Sequence, residues 1–266
     1  MINLPLYKRE MKGSIKLIVI FALVITLYVS IIIGMYDPEQ MALLDGIVET
    51  MPEIMAAVGM SAGATSLLGF MISYLYGFIL LIFPMLFCIL RGNGLIAKYI
   101  DRGSMVSLVA APVKRCTIAF TQMTALTSGI LILVIYSTVL EVVCAEICFP
   151  GELNVSELCS LNAGLLCLHL LIGGICFLAS CVFSDTRYSV GFGAGVPALM
   201  YVLQMLANVG GNADAAKYFT FFTLYNPDGI ISGDGSAVFG AVILLVGGIA
   251  LYMIGISVFS KKDIHI

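Results

Sequence analysis

The chain has 266 residues, 61% of them hydrophobic and 11% charged, with a formal net charge of −3. An ordinary soluble domain is roughly half apolar and about a quarter charged, so composition excludes one here. So weak a charge gives no reason to expect a nucleic-acid partner.

The chain opens on a short basic stretch, 1–14, with Lys8, Arg9 and Lys12. Six apolar runs follow near 15–35, 67–90, 119–140, 158–183, 189–208 and 237–259. Each is long enough to cross about 30 Å of hydrocarbon as a helix. None alternates with the period of two that a membrane β-barrel requires. The expected fold is all-α and polytopic, one transmembrane domain over 1–266 with six spans. The first run is too long for the core of a secretion signal.

Lysine and arginine set the orientation. With the N-terminus in the cytoplasm, every basic residue but Lys217 falls inside, while most of the acids fall outside. The inside acids are Glu10, Asp101, Asp185 and Asp263. Reversing the chain inverts this sorting, and adding or removing a span scrambles it. Both termini are therefore expected in the cytoplasm.

Between the first two runs, apolar residues from Leu44 to Val58 recur at helical spacing, and Pro52 suits a first helical turn. The expectation is one or two short amphipathic extracellular helices. They serve either as a lid on the spans or, through Asp45, Glu49 and Glu53, as an acidic rim at an exit. The last outer segment, "NADAAKYFTFFTLYNPDGIISGDG", is rich in aromatic and turn residues and fits an interfacial belt. Asn154 opens an "NVS" triplet that chance alone readily supplies. Cys144 and Cys148 are the one cysteine pair placed to meet, although i,i+4 on a helix is poor disulfide geometry.

Absences narrow the function. No G-x-x-x-x-G-K-[ST], H-E-x-x-H or C-x-x-C occurs. No metal site is expected, and no catalytic residue. His169 lies within the fourth run, either bonding across a helix interface or serving an intramembrane reaction. Glu141 falls at a run's end, and no acid or base falls at a run's centre. A carrier driven by its own ion gradient usually needs one there. Pro84 and Pro197 interrupt runs and suit hinges, and Gly191 and Gly195 are spaced for close helix packing. The chain reads as a conduit without an engine. Its one sizeable cytoplasmic segment is the loop 91–118.

That loop holds "DRGSMVSLVAAPVKR", which resembles the acidic-R-G-[ST]…L…P-V-x-R signature of ABC transporter permeases of the type-2 exporter class. Asp101, Arg102, Gly103, Ser104, Leu108, Pro112, Val113 and Arg115 match, with aspartate where the family more often has glutamate. "YKREMKG", "MPEIMAAVGM", "LYNPDGIISGD" and "FSKKDI" are similar to the family's entry, outer and closing elements, in order. The resemblance implies a half-transporter of the bacterial cytoplasmic membrane. Two permease chains, identical or paralogous, would pair with two separate ATPase subunits that carry the ATP and Mg, with none on this chain. Residues 1–14 would form an interfacial elbow. A coupling helix between spans 2 and 3, including Lys98, Asp101, Arg102, Gly103 and Ser104, would dock on the ATPase. Pro112 and Arg115 would pass its motion to span 3, and Asp185 and Arg187 would make a second contact. The cargo would be hydrophobic or amphipathic, a peptide, bacteriocin or drug. The alternative is a membrane scaffold or immunity protein that binds a toxic peptide without moving it.

Overall fold

The computed structural model describes residues 2–36, 46, 50–60, 66–105, 108 and 113–262. Six helices in it are long and apolar enough to cross a membrane, and among the described residues there is no strand. Asp45, Glu49 and Pro112 lie outside the described residues.

Helix α1 spans Leu4–Gly34. Asn3 caps it, its Oδ1 accepting the Leu6 N–H at 3.0 Å, and Pro5 sits in the first turn, where no partner N–H is needed. The expected elbow and first span are thus one helix of 31 residues, about 46 Å long, since no proline or cap interrupts it after Pro5. Its buried stripe is Leu6, Glu10, Ser14, Ile18, Phe21, Ile25, Val29 and Ile33, while Leu23, Leu27 and Ile31 point outward.

Short helix α2, Pro52–Ala57, begins at Pro52 as expected. The second span is composite: α3 (Leu67–Met71), a π-helical stretch (Ile72–Ile79), and α4 (Leu80–Gly92) with Pro84 buried inside it. Gly59, at φ +80°, lies against Gly77 of the π stretch, and a Cβ on Gly77 would stand 2.6 Å from the Val58 carbonyl oxygen. The wide π turn and two missing side chains let these backbones touch.

Helix α5 is the five-residue Ala97–Asp101. It ends before Gly103 and Ser104, which the expected coupling helix included, because Gly103 takes φ +68° and its N–H turns back to the Ile100 carbonyl; Met105 and Leu108 beyond it are again helical. The long α6, Arg115–Cys148, runs past the apolar stretch that defined span 3 and carries Glu141 inside the helix. Helices α7 (Val155–Val182), α8 (Thr186–Val209), α9 (Pro227–Ile231) and α10 (Gly235–Lys261) complete the chain. Asn154, Asp185, Asn226 and Asp234 cap these four with side-chain oxygens. The triplet asparagine is therefore engaged in capping, and its Nδ2 also donates to Glu157 at 2.6 Å.

Helix α7 is central, with α4, α6, α8 and α10 all packed on it. It meets α10 at backbone distance, where a Cβ on Gly248 would come 3.0 Å from Leu170 backbone atoms. Without a hydrophobic drive between helices in lipid, such close approach is what van der Waals packing needs. Gly191 and Gly195 of α8 do not serve this purpose within the chain, since a Cβ on either meets nothing within 4 Å. The close-packed glycine is Gly193, which faces Asn93 from the opposite side of the helix. Pro197 is buried in α8 without ending it. Exposed Val, Leu and Ile side chains on α1, α8 and α10 form an apolar coat.

Candidate functional site

Six antiparallel crossings bring the start of α1, α5, the α7–α8 turn and the end of α10 to one end of the bundle. That end carries the predicted coupling residues, and two buried polar knots join α5 to the spans there.

The first knot is built on Ser180. The N-cap of α5, Ile96, supplies no capping side chain. Ser180 Oγ of α7 accepts the Ile96 and Ala97 N–H groups at 3.0 and 2.9 Å instead, and donates to the Asn93 carbonyl at 3.1 Å. One hydroxyl thereby uses its hydrogen and both lone pairs. Asn93 is buried beside Ser189 of α8, whose hydroxyl donates to it at 3.4 Å, and Gly193 leaves room for its amide.

The second knot is built on Glu10, which is 3% exposed. Its carboxylate pairs with Arg91 of α4, accepts the Tyr99 hydroxyl of α5, and accepts Gln122 Nε2 of α6 at 3.3 Å. Arg91 also donates to the Glu10 carbonyl at 2.8 Å and to Ser14 Oγ. The Arg9 guanidinium lies over the Tyr99 ring, 5.5 Å from its centre. A pair this buried is costly to break from one side only, because the remaining charge has no solvent.

The predicted residues divide into exposed and engaged. Lys98, Arg102 and Arg187 are exposed. Asp101 accepts the Thr186 hydroxyl at 2.8 Å, tying α5 to the start of α8. Asp185 caps α8, accepting the Arg187 N–H at 2.7 Å. Gly103 ends α5, and Ser104 donates to the Tyr99 carbonyl at 3.3 Å. Arg115 donates to the Lys262 carbonyl at 2.7 Å. Lys262 in turn donates to the Cys181 and Val182 carbonyls at 3.1 and 2.9 Å, covering the open end of α7. Desolvation by partial burial pushes the Lys262 amine below its usual lysine value.

At the opposite end Glu53 is exposed on α2. A cavity of about 440 Å³ opens there among the π stretch, α8 and the segment leading into α9. Its wall includes Tyr76, whose hydroxyl donates to Glu141 Oε2 at 2.8 Å. Asn162 Nδ2 donates to the same carboxylate oxygen at 2.9 Å. Glu141 is fully buried, and the helix that carries it continues past the end of the apolar run to Cys148. Burial, and then the Glu141 charge, hold the nearby Tyr225 phenol well above its ordinary value.

His169 bonds across the helix interface, with Nε2 3.1 Å from the Leu81 carbonyl and Nδ1 2.8 Å from the Leu165 carbonyl. Cys144 and Cys148 are both free thiols. Among the described residues no three His, Cys, Asp or Glu side chains are grouped to hold a metal.

Ser180, Asn93 and Arg91 were not singled out in the sequence. Glu10 was readable from it, as the acid on the i,i+4 stripe Leu6–Glu10–Ser14–Ile18. No protein-family model matches the chain, and no curated protein sequence matches it significantly.

Proposed function

We propose that the chain is the membrane subunit of an ATP-driven ABC exporter of the bacterial cytoplasmic membrane. Two such chains pair with two cytoplasmic ATPase subunits that bind ATP and Mg, and α5 is the coupling helix. The observation that carries this reading is the attachment of α5. Its first N–H groups are held by Ser180 of α7 and its Tyr99 by Glu10 of α1, while Lys98 and Arg102 stay exposed. A coupling element needs this combination, with charged side chains free for a partner and a stiff connection to the spans.

The basic end is the cytoplasmic one, as the charge distribution favours. The cavity at the other end then faces outward, in the position of an exit for hydrophobic or amphipathic cargo. The test is co-expression with an ABC ATPase subunit encoded in the same genome. Wild type copurifies with that subunit and raises its ATP hydrolysis, while Asp101→Ala with Arg102→Ala weakens both. Wild-type levels of both in the double variant would overturn the assignment of α5.

A further inference from the structure

The cavity of about 440 Å³ has a size that takes a small organic group. Its wall holds Tyr76, Tyr201, Phe222 and Tyr225 together with Gln204 and Asp228, and among the described residues no lysine or arginine lines it. Aromatic rings carry negative charge on their faces and attract cations. Asp228 is exposed at the cavity, and no ion pair involves it among the described residues.

A second carboxyl stands behind the wall. Tyr76 donates its hydroxyl hydrogen to Glu141 Oε2, and a phenol donating to a carboxylate has a more electron-rich ring. Glu141 forms no ion pair with a basic side chain among the described residues. Its Oε1 is buried without a hydrogen-bond partner, and so is Asn162 Oδ1 beside it. Among the described residues the one basic residue at this end, Lys217, is already paired with Asp214 at 2.7 Å. The pocket therefore offers rings and acids, and among the described residues no cation offsets them.

We propose that this cavity binds the ammonium group of a cationic organic ligand, a protonated or quaternary amine carried on an apolar body. The tyrosine rings surround the charge and Asp228 supplies the counter-ion. An anion would meet Asp228 without a balancing base, and a purely apolar ligand would leave Asp228 unused. The assignment deepens the transport reading by naming the chemistry that the cargo presents at the exit.

The experiment is equilibrium dialysis of the full chain in nanodiscs of zwitterionic lipid, without ATP or ATPase subunits. The probes are benzyltrimethylammonium and neopentylbenzene, which share a shape and differ in charge. The ammonium is expected to bind saturably, at one per chain, and about tenfold more tightly than its neutral counterpart. Asp228→Asn is expected to weaken the ammonium about three- to tenfold and to leave the neutral probe unchanged. Tyr201→Leu weakens the ammonium likewise, and Tyr201→Phe, which keeps the ring, does not. Equal affinity for the two probes, no saturable ammonium binding, or an unchanged ammonium affinity in Asp228→Asn would each overturn the proposal. Because Asp228 is exposed, its variant answers the question even if Tyr201→Leu does not fold. Failure here leaves the coupling role of α5 standing, and loss of coupling at Asp101 leaves this site standing.

Discussion

Ser180 of α7 caps a helix to which it does not belong, its Oγ accepting the Ala97 N–H at 2.9 Å. The start of α5 is in this way fastened to the central helix of the bundle and not merely to the end of α4. Ser180→Ala removes the acceptor of two buried N–H groups. We expect a loss of about 1–3 kcal/mol in unfolding free energy. Amide exchange should speed up at Ile96 and Ala97 and not at the far end of α7. Unchanged exchange at those two amides would show that the hydroxyl is dispensable.

The Glu10–Arg91 pair joins α1 to α4 with side chains only 4% and 18% exposed. Arg91→Leu leaves the carboxylate buried and should cost about 3–5 kcal/mol. Combining it with Glu10→Leu should cost clearly less than the sum of the two single changes, because neither charge is then stranded. Thermal unfolding of the four members of the cycle measures this. Additive losses would mean that the two side chains do not interact.

Gly193 and Gly191 make a paired test of packing. A Cβ on Gly193 would overlap the Asn93 amide, whereas one on Gly191 meets nothing within 4 Å. Gly193→Ala should destabilise by about 1–3 kcal/mol, as overpacking does. Gly191→Ala should stay within about 0.5 kcal/mol of wild type in the isolated chain. The reverse order would contradict the orientation of α8.

Gly77→Ala should push α2 away from the π stretch, since its Cβ would stand 2.6 Å from the Val58 carbonyl. Limited proteolysis around residues 50–60 reads this as faster cleavage, with the remaining spans intact. An unchanged cleavage rate would show that α2 is held by something other than this contact.

These cases also show what the chain discloses unaided. Six spans are legible because lipid forces every backbone group to bond within its own helix, which takes about twenty apolar residues each time. The acidic residue on the buried stripe of α1 is legible for the same periodic reason. The extension of α6 beyond Glu141 is hidden, because the apolar run closes at Glu141 although the helix continues to Cys148. The small-xxx-small pattern shows a spacing and not a face, so it does not tell that within the chain the close-packed glycine is Gly193 and not Gly191 or Gly195. Ser180 of α7 and Asn93 at the end of α4 meet across a sequence separation of 87, and no local pattern marks such a pair.

The proposed coupling role of α5 is tested most directly by cross-linking. A cysteine at exposed Arg102, with the native cysteines replaced by serine, is treated with a short thiol-to-amine reagent beside the co-expressed ATPase. A cross-link to the ATPase is expected, with a yield that changes between nucleotide-free and ATP-bound states. Ser180→Ala is also expected to reduce ATP-driven transport more than it reduces that cross-link, because docking survives while the stiff connection is lost. An Arg102 position that never reaches the ATPase in the assembled complex would contradict that role.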